Sequence, residues 1–142
     1  KWDKGFDGKF NLIRAYIFYE FGKYDKAIID VNRRLKAVPN DVAALKEKAR
    51  YSVALNDLNL AYKTLTSARK LQPDDFSIPL DIAYVFLKTQ NSAYADRTCK
   101  LLSQTQTAIK VKLKSTRGAL RRDLKDLLQR ANTYLDFSKC RP

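Results

Sequence analysis

The sequence contains no histidine, so the commonest general base and metal ligand at neutral pH is missing. Glycine-rich phosphate loops and nucleophile-elbow patterns are absent as well. The adjacent acids Asp74-Asp75 read as helix caps and not as a catalytic pair. The expectation is therefore a protein that is not an enzyme, with no catalytic, cofactor-binding or metal-binding residues. Four glycines and four prolines among 142 residues leave little room for long loops. No apolar run approaches the roughly 20 residues that cross a bilayer, so no transmembrane segment is expected. Methionine is also missing, and the opening Lys1-Trp2-Asp3 has no signal-peptide pattern, which reads as a processed product or fragment. The compartment stays open, with the cytoplasm favoured. Cys99 and Cys140 make neither a disulfide framework nor a zinc set. Cys99 falls on an apolar helical face, where a small buried thiol is the ordinary reading, and Cys140 lies in a polar tail. A bond between them is left open.

What is present is the composition of a globular domain, 45% hydrophobic and 30% charged, in one domain spanning 1–142. Twenty-eight Lys and Arg against 15 acids give a net charge of +13. That balance suits acidic protein segments, nucleic acid or anionic membranes, and it equally serves plain solubility.

A period of 34 residues runs through most of the chain. Ala15, Ala49 and Ala83 follow it, as do Ala27, Ala61 and Ala95, and Pro39 with Pro73. Gly22, Asn56 and Gln90 hold the corresponding turn. Each period is read as two helices meeting at small residues, with proline closing the second and Asn40-Asp41 or Asp74-Asp75 capping the next. Helices are expected near 8–21, 24–38, 42–55, 58–71, 76–89 and 92–104. Gly5-Phe6-Asp7, one period before Pro39-Asn40-Asp41, hints at an upstream repeat.

This spacing resembles the tetratricopeptide repeat family, with units at about 8–41, 42–75 and 76–107. The first unit carries the clearest match, in Ala15, Gly22-Lys23-Tyr24-Asp25-Lys26-Ala27 and Pro39. The resemblance implies an all-α fold, a right-handed superhelical stack of helix-turn-helix repeats with a concave groove. It also implies that the first helix of each unit lines that groove. By register the candidate partner-binding residues are Lys9, Tyr16, Tyr19, Lys46, Arg50, Tyr84 and Lys88. One subgroup of the family grips a chaperone's terminal carboxylate with a Lys, Asn and Arg clamp. Leu12, Tyr16, Ala43, Ser77 and Asp81 stand in those places here, so that clamp is absent.

Residues 108–137 leave the period but keep an apolar helical stripe, including Ile109, Leu113, Leu124, Leu128 and Leu135. They are read as an amphipathic capping helix, with a break near Ser115–Gly118. This end is strongly basic, and Lys110, Lys112, Lys114, Arg117, Arg121, Arg122 and Lys125 are candidate anion-binding residues.

The leading expectation is a non-enzymatic protein-protein interaction module whose groove binds a peptide segment of a partner with acidic character. Nucleic-acid or anionic-surface binding through the basic C-terminal helix is the alternative. A secretion-type chaperone is the second, although such chaperones are usually acidic.

Overall fold

The protein, seen in a computed structural model, is described over residues 4–140, with side chains from residue 8. Among the described residues there are seven α-helices and no strand. It divides into two compact units, Lys1–Gln72 and Pro73–Pro142.

The first unit holds α1 (Lys4–Glu20), α2 (Tyr24–Ala37), α3 (Val42–Ala54) and α4 (Leu58–Leu71). Its helices meet where the alanine series predicts. Ala15, Ala27 and Ala61 are fully buried and Ala49 is nearly so. Around them Val31, Ala44 and Tyr51 form a core, against which Leu12, Phe18, Ile28 and Leu35 pack. Both hairpin turns use one device. Gly22 and Asn56 take left-handed φ values of 70° and 59°. The amides of Lys23 and Asp57 then reach back to the Phe18 and Ser52 carbonyls, and those of Gly22 and Asn56 to Tyr19 and Val53. These paired bonds satisfy carbonyls that a helix end leaves open. Asp41 caps α3 by accepting from the Ala44 amide, and its other carboxylate oxygen holds Arg34 at 2.7 Å. Asp57 caps α4 in the same way through Leu60. Residues 5–7 belong to α1, so their backbone is helical and no inter-repeat link stands there; their side chains lie outside the described residues.

The second unit holds α5 (Ser77–Thr89), a 3-10 turn (Ser92–Tyr94), α6 (Ala95–Ser115) and α7 (Gly118–Phe137). Gln90 supplies the third left-handed turn, at φ 53°. Two expectations fail from this point. Ala83 is buried, but Ala95 is exposed. Asn91 caps the 3-10 turn, which occupies the three positions where α4 is already α-helical, so Ala95 only opens α6. Thr98 takes the buried place instead, with its hydroxyl on the Tyr94 carbonyl. The second helix of this repeat also runs on to Ser115, well past the expected end near 104. Leu102, Thr105 and Ile109 extend its buried stripe, and no breaker occurs before Thr116 and Gly118. The C-terminal helix accordingly starts at Gly118, not near 108.

Cys99 and Cys140 are joined by a disulfide. The reading of Cys99 as a buried free thiol is thereby corrected: the bond ties α6 to the residues that follow α7. Disulfides persist in oxidising compartments and are rare in the cytosol, so this pair runs against the cytoplasmic expectation.

A non-glycine residue in the left-handed region carries a conformational cost that glycine does not. Replacing Gln90 by glycine should raise unfolding free energy by about 1 kcal/mol. Urea denaturation checks this, and an unchanged or lower midpoint would show that the Gln90 side chain contributes to the turn.

Candidate functional site

Position 50 of α3 and position 16 of α1 fall on neighbouring helices of the first unit, and their side chains meet. The Arg50 guanidinium lies 4.2 Å from the Tyr19 ring centroid and 5.8 Å from that of Tyr16. Tyr19 in turn stacks on buried Tyr51, with centroids 5.0 Å apart, and touches Tyr24 at 5.4 Å. The stack thus rises from the core through Tyr51 and Tyr19 to a half-exposed Arg50. Glu20 and Glu47 approach Arg50 at 3.6 Å each. Burial alone would depress the Arg50 guanidinium, but Tyr19 and Glu47 hold it above its ordinary value. Tyr16 is 49% exposed beside it. Lys46 is partly buried on α3, and Lys9 is exposed on α1. The sequence-predicted Tyr16, Tyr19 and Arg50 therefore come together as one surface. Cation–π contacts of this kind fix the plane of an arginine while leaving its edge free to meet a carboxylate.

Tyr84 and Lys88 stand on α5 of the second unit. Both are exposed there, Tyr84 at 37%. Tyr84 stacks on Tyr134 of α7, with centroids 6.2 Å apart, and Lys88 Nζ lies 5.6 Å from the Tyr84 ring. Arg130 of α7 donates to Asp81 of α5, and its Nε donates to the Tyr134 hydroxyl at 3.0 Å. Burial opposes the charge on Arg130, but Asp81 more than compensates and raises its pKa. Sequence reasoning missed this clasp. A cation within the half-buried part of α7 and a lone acid on α5 were its only signals.

A second missed feature lies in the first unit, where Asp30 is 1% exposed. Arg14 holds it with two hydrogen bonds of 2.7 and 2.8 Å, and Arg33 adds a third at 3.1 Å. Asp30 raises the pKa of Arg14, first by hydrogen bonding and then by its charge. Those bonds satisfy the buried carboxylate, so this cluster is structural.

The basic residues of the C-terminal third do not lie along one helix. Lys110, Lys112 and Lys114 are on α6, Arg117 is in the link, and Arg121, Arg122 and Lys125 are on α7. Arg121 is committed internally, donating to the Leu113 and Thr116 carbonyls at the end of α6. The other six are exposed. No helix among the described residues is long and apolar enough to cross a membrane. No group of metal-ligating side chains occurs among them either.

No family model matches the chain, and no curated protein sequence matches it. Solved structures do. The TPR2B domain of yeast Sti1, in a complex with pHsp70, superposes with a TM-score of 0.67 at 12% identity. That match covers 90% of this chain and 98% of the other. The TPR2AB domain of yeast Sti1, in a complex with pHSP90, gives 0.67 at 13% identity, covering 89% and 46%. The first TPR of Spaghetti (RPAP3), bound to the HSP90 peptide SRMEEVD, gives 0.64 at 14%, covering 92% and 96%. At these identities the likeness establishes the fold, which is that of a tetratricopeptide-repeat domain.

Proposed function

From a chain that folds as a tetratricopeptide-repeat domain, we propose a non-enzymatic interaction module that binds a peptide segment of a partner protein. The ligand face is the α1–α3 surface of the first unit, and the ligand carries acidic and apolar groups. The carrying observation is the Tyr51–Tyr19–Arg50 stack with half-exposed Tyr16 beside it. Arg50 is oriented by rings but paired to Glu20 and Glu47 only at 3.6 Å. Exposed pairs of that kind are worth about 0–1 kcal/mol. A ligand carboxylate in two-point contact with the guanidinium would displace them readily. Tyrosine adds broad apolar contact at small entropic cost.

That the similar structures are complexes with pHsp70, pHSP90 and an HSP90 peptide supports a peptide as the class of ligand. The absent carboxylate clamp argues for a different anchor, and Asp81 is taken up by Arg130. The anchor proposed here is Arg50 with Tyr16, flanked by Lys46 and Lys9.

Short acidic peptides containing Tyr or Leu, titrated against the intact chain by fluorescence anisotropy, test the proposal. Lys46→Glu with Arg50→Glu should weaken binding at least ten-fold while circular dichroism stays unchanged. Affinity that survives the double reversal in a folded variant removes this face from the account.

A further inference from the structure

The α6–α7 pair is an antiparallel hairpin, pinned at three levels. Cys99 bonds Cys140 at its far end, the Gln106 amide donates to Asn132 midway, and Arg121 meets the Leu113 carbonyl near the link. The link itself is Thr116 and Arg117, so residues 110–125 form the tip. Seven basic residues fall in that interval against one acid, Asp123. With Arg121 committed to the helix end, six exposed cations remain: Lys110, Lys112, Lys114, Arg117, Arg122 and Lys125.

The tip also carries apolar side chains that the fold does not cover. Val111 is 61% exposed, on the side of α6 opposite its buried Leu102 and Ile109. Leu120 is 55% exposed, one turn before buried Leu124, where the apolar stripe of α7 continues beyond its packing. Two branched aliphatic residues among six cations match the composition of a membrane-interface anchor. The apolar groups enter the acyl boundary, and the cations meet phosphate headgroups. Lysine and arginine stems reach sideways to keep their charges at that level.

We propose that the α6–α7 tip docks the protein peripherally on an anionic phospholipid surface. Nucleic acid is the other polyanion a basic patch attracts, and one absence separates the two. No aromatic residue occurs between Tyr94 and Tyr134, so the tip has no ring on which a base could stack. Exposed Val111 and Leu120 would gain from entering an acyl boundary and gain little against a phosphate backbone. The site is independent of the peptide face on the first unit.

The test is flotation of the intact, oxidised chain with vesicles of phosphatidylcholine alone or mixed with phosphatidylserine. Binding is expected only to the mixed vesicles, and it should weaken as salt rises. Each charge near such a surface contributes about five-fold, so Lys110→Gln, Lys114→Gln and Arg122→Gln together should lower partitioning about a hundred-fold. Val111→Ser with Leu120→Ser, leaving every charge in place, should lower it about ten-fold or more. All five positions are exposed, and an unchanged melting temperature verifies the fold. Failure to bind mixed vesicles overturns the proposal, as does equal binding to neutral ones. So does single-stranded RNA binding that falls with the glutamine variants while the serine pair leaves both RNA and vesicle binding untouched.

Discussion

Replacing Cys140 by serine should lower the unfolding free energy by about 4 kcal/mol, the largest single effect expected outside the core. The two cysteines are 41 residues apart. Closing a loop of that size removes about 4 kcal/mol of chain entropy from the unfolded state. For a chain of this length the melting temperature should fall on the order of 10 °C. Cys99→Ser and treatment of the intact chain with a dithiol reductant should produce the same drop. The loss also has a place. Without the bond, the hairpin is held by Gln106–Asn132 and Arg121 toward its link and by Arg130–Asp81 toward α5. Its open end therefore frays first, and amide exchange should accelerate in the last turns of α7 before it does elsewhere. Melting that ignores reductant would mean the two thiols do not join in solution.

The disulfide is also where sequence reasoning reached its limit. A pair of cysteines separated by 41 residues says nothing about whether their Cα atoms approach within bonding reach, because only the hairpin brings them together. The repeat, by contrast, was legible because its signals are local and recur. A left-handed turn needs a permissive residue, and Gly22, Asn56 and Gln90 all prove left-handed in register. Close helix crossings need small side chains, and Ala15, Ala27, Ala49, Ala61 and Ala83 are all buried. Ala95 failed because a three-residue 3-10 turn delayed its helix, a shift that leaves the 34-residue spacing intact in the letters. The candidate site was legible to the extent that it depends on register: Tyr16, Tyr19 and Arg50 share a face because the period placed them there. Arg130–Asp81 and Asp30 with its arginines were not legible. Arg130–Asp81 and Arg14–Asp30 are chosen by side-chain reach across helices, and many other pairings were compatible with the same charges.

Tyr51 yields the second large effect and a sharper distinction. It is fully buried, stacked on Tyr19 and packed among Val31, Ala27 and Ala44. Truncation to alanine should cost about 3–5 kcal/mol, as for other large buried rings. Among the described residues neither its phenol oxygen nor Glu47 Oε2 has a partner of good hydrogen-bond geometry, although the two groups lie close enough to interact. Burial, and then Glu47, push the phenol pKa well up, so the group stays neutral. A buried hydroxyl without a well-formed hydrogen bond pays a desolvation cost, and one period on either side the chain uses Ile17 and Val85. Tyr51→Phe should therefore be neutral, or stabilising by up to about 1 kcal/mol, in urea denaturation. The same two variants bear on binding. Tyr51 supports Tyr19, which carries Arg50, so alanine should abolish peptide affinity together with the fold of the first unit. Phenylalanine preserves the ring and should leave affinity unchanged. A phenylalanine variant that loses more than about 1 kcal/mol would show the hydroxyl engaged with Glu47, and Arg50 would then be held by a polar network and not by stacked rings.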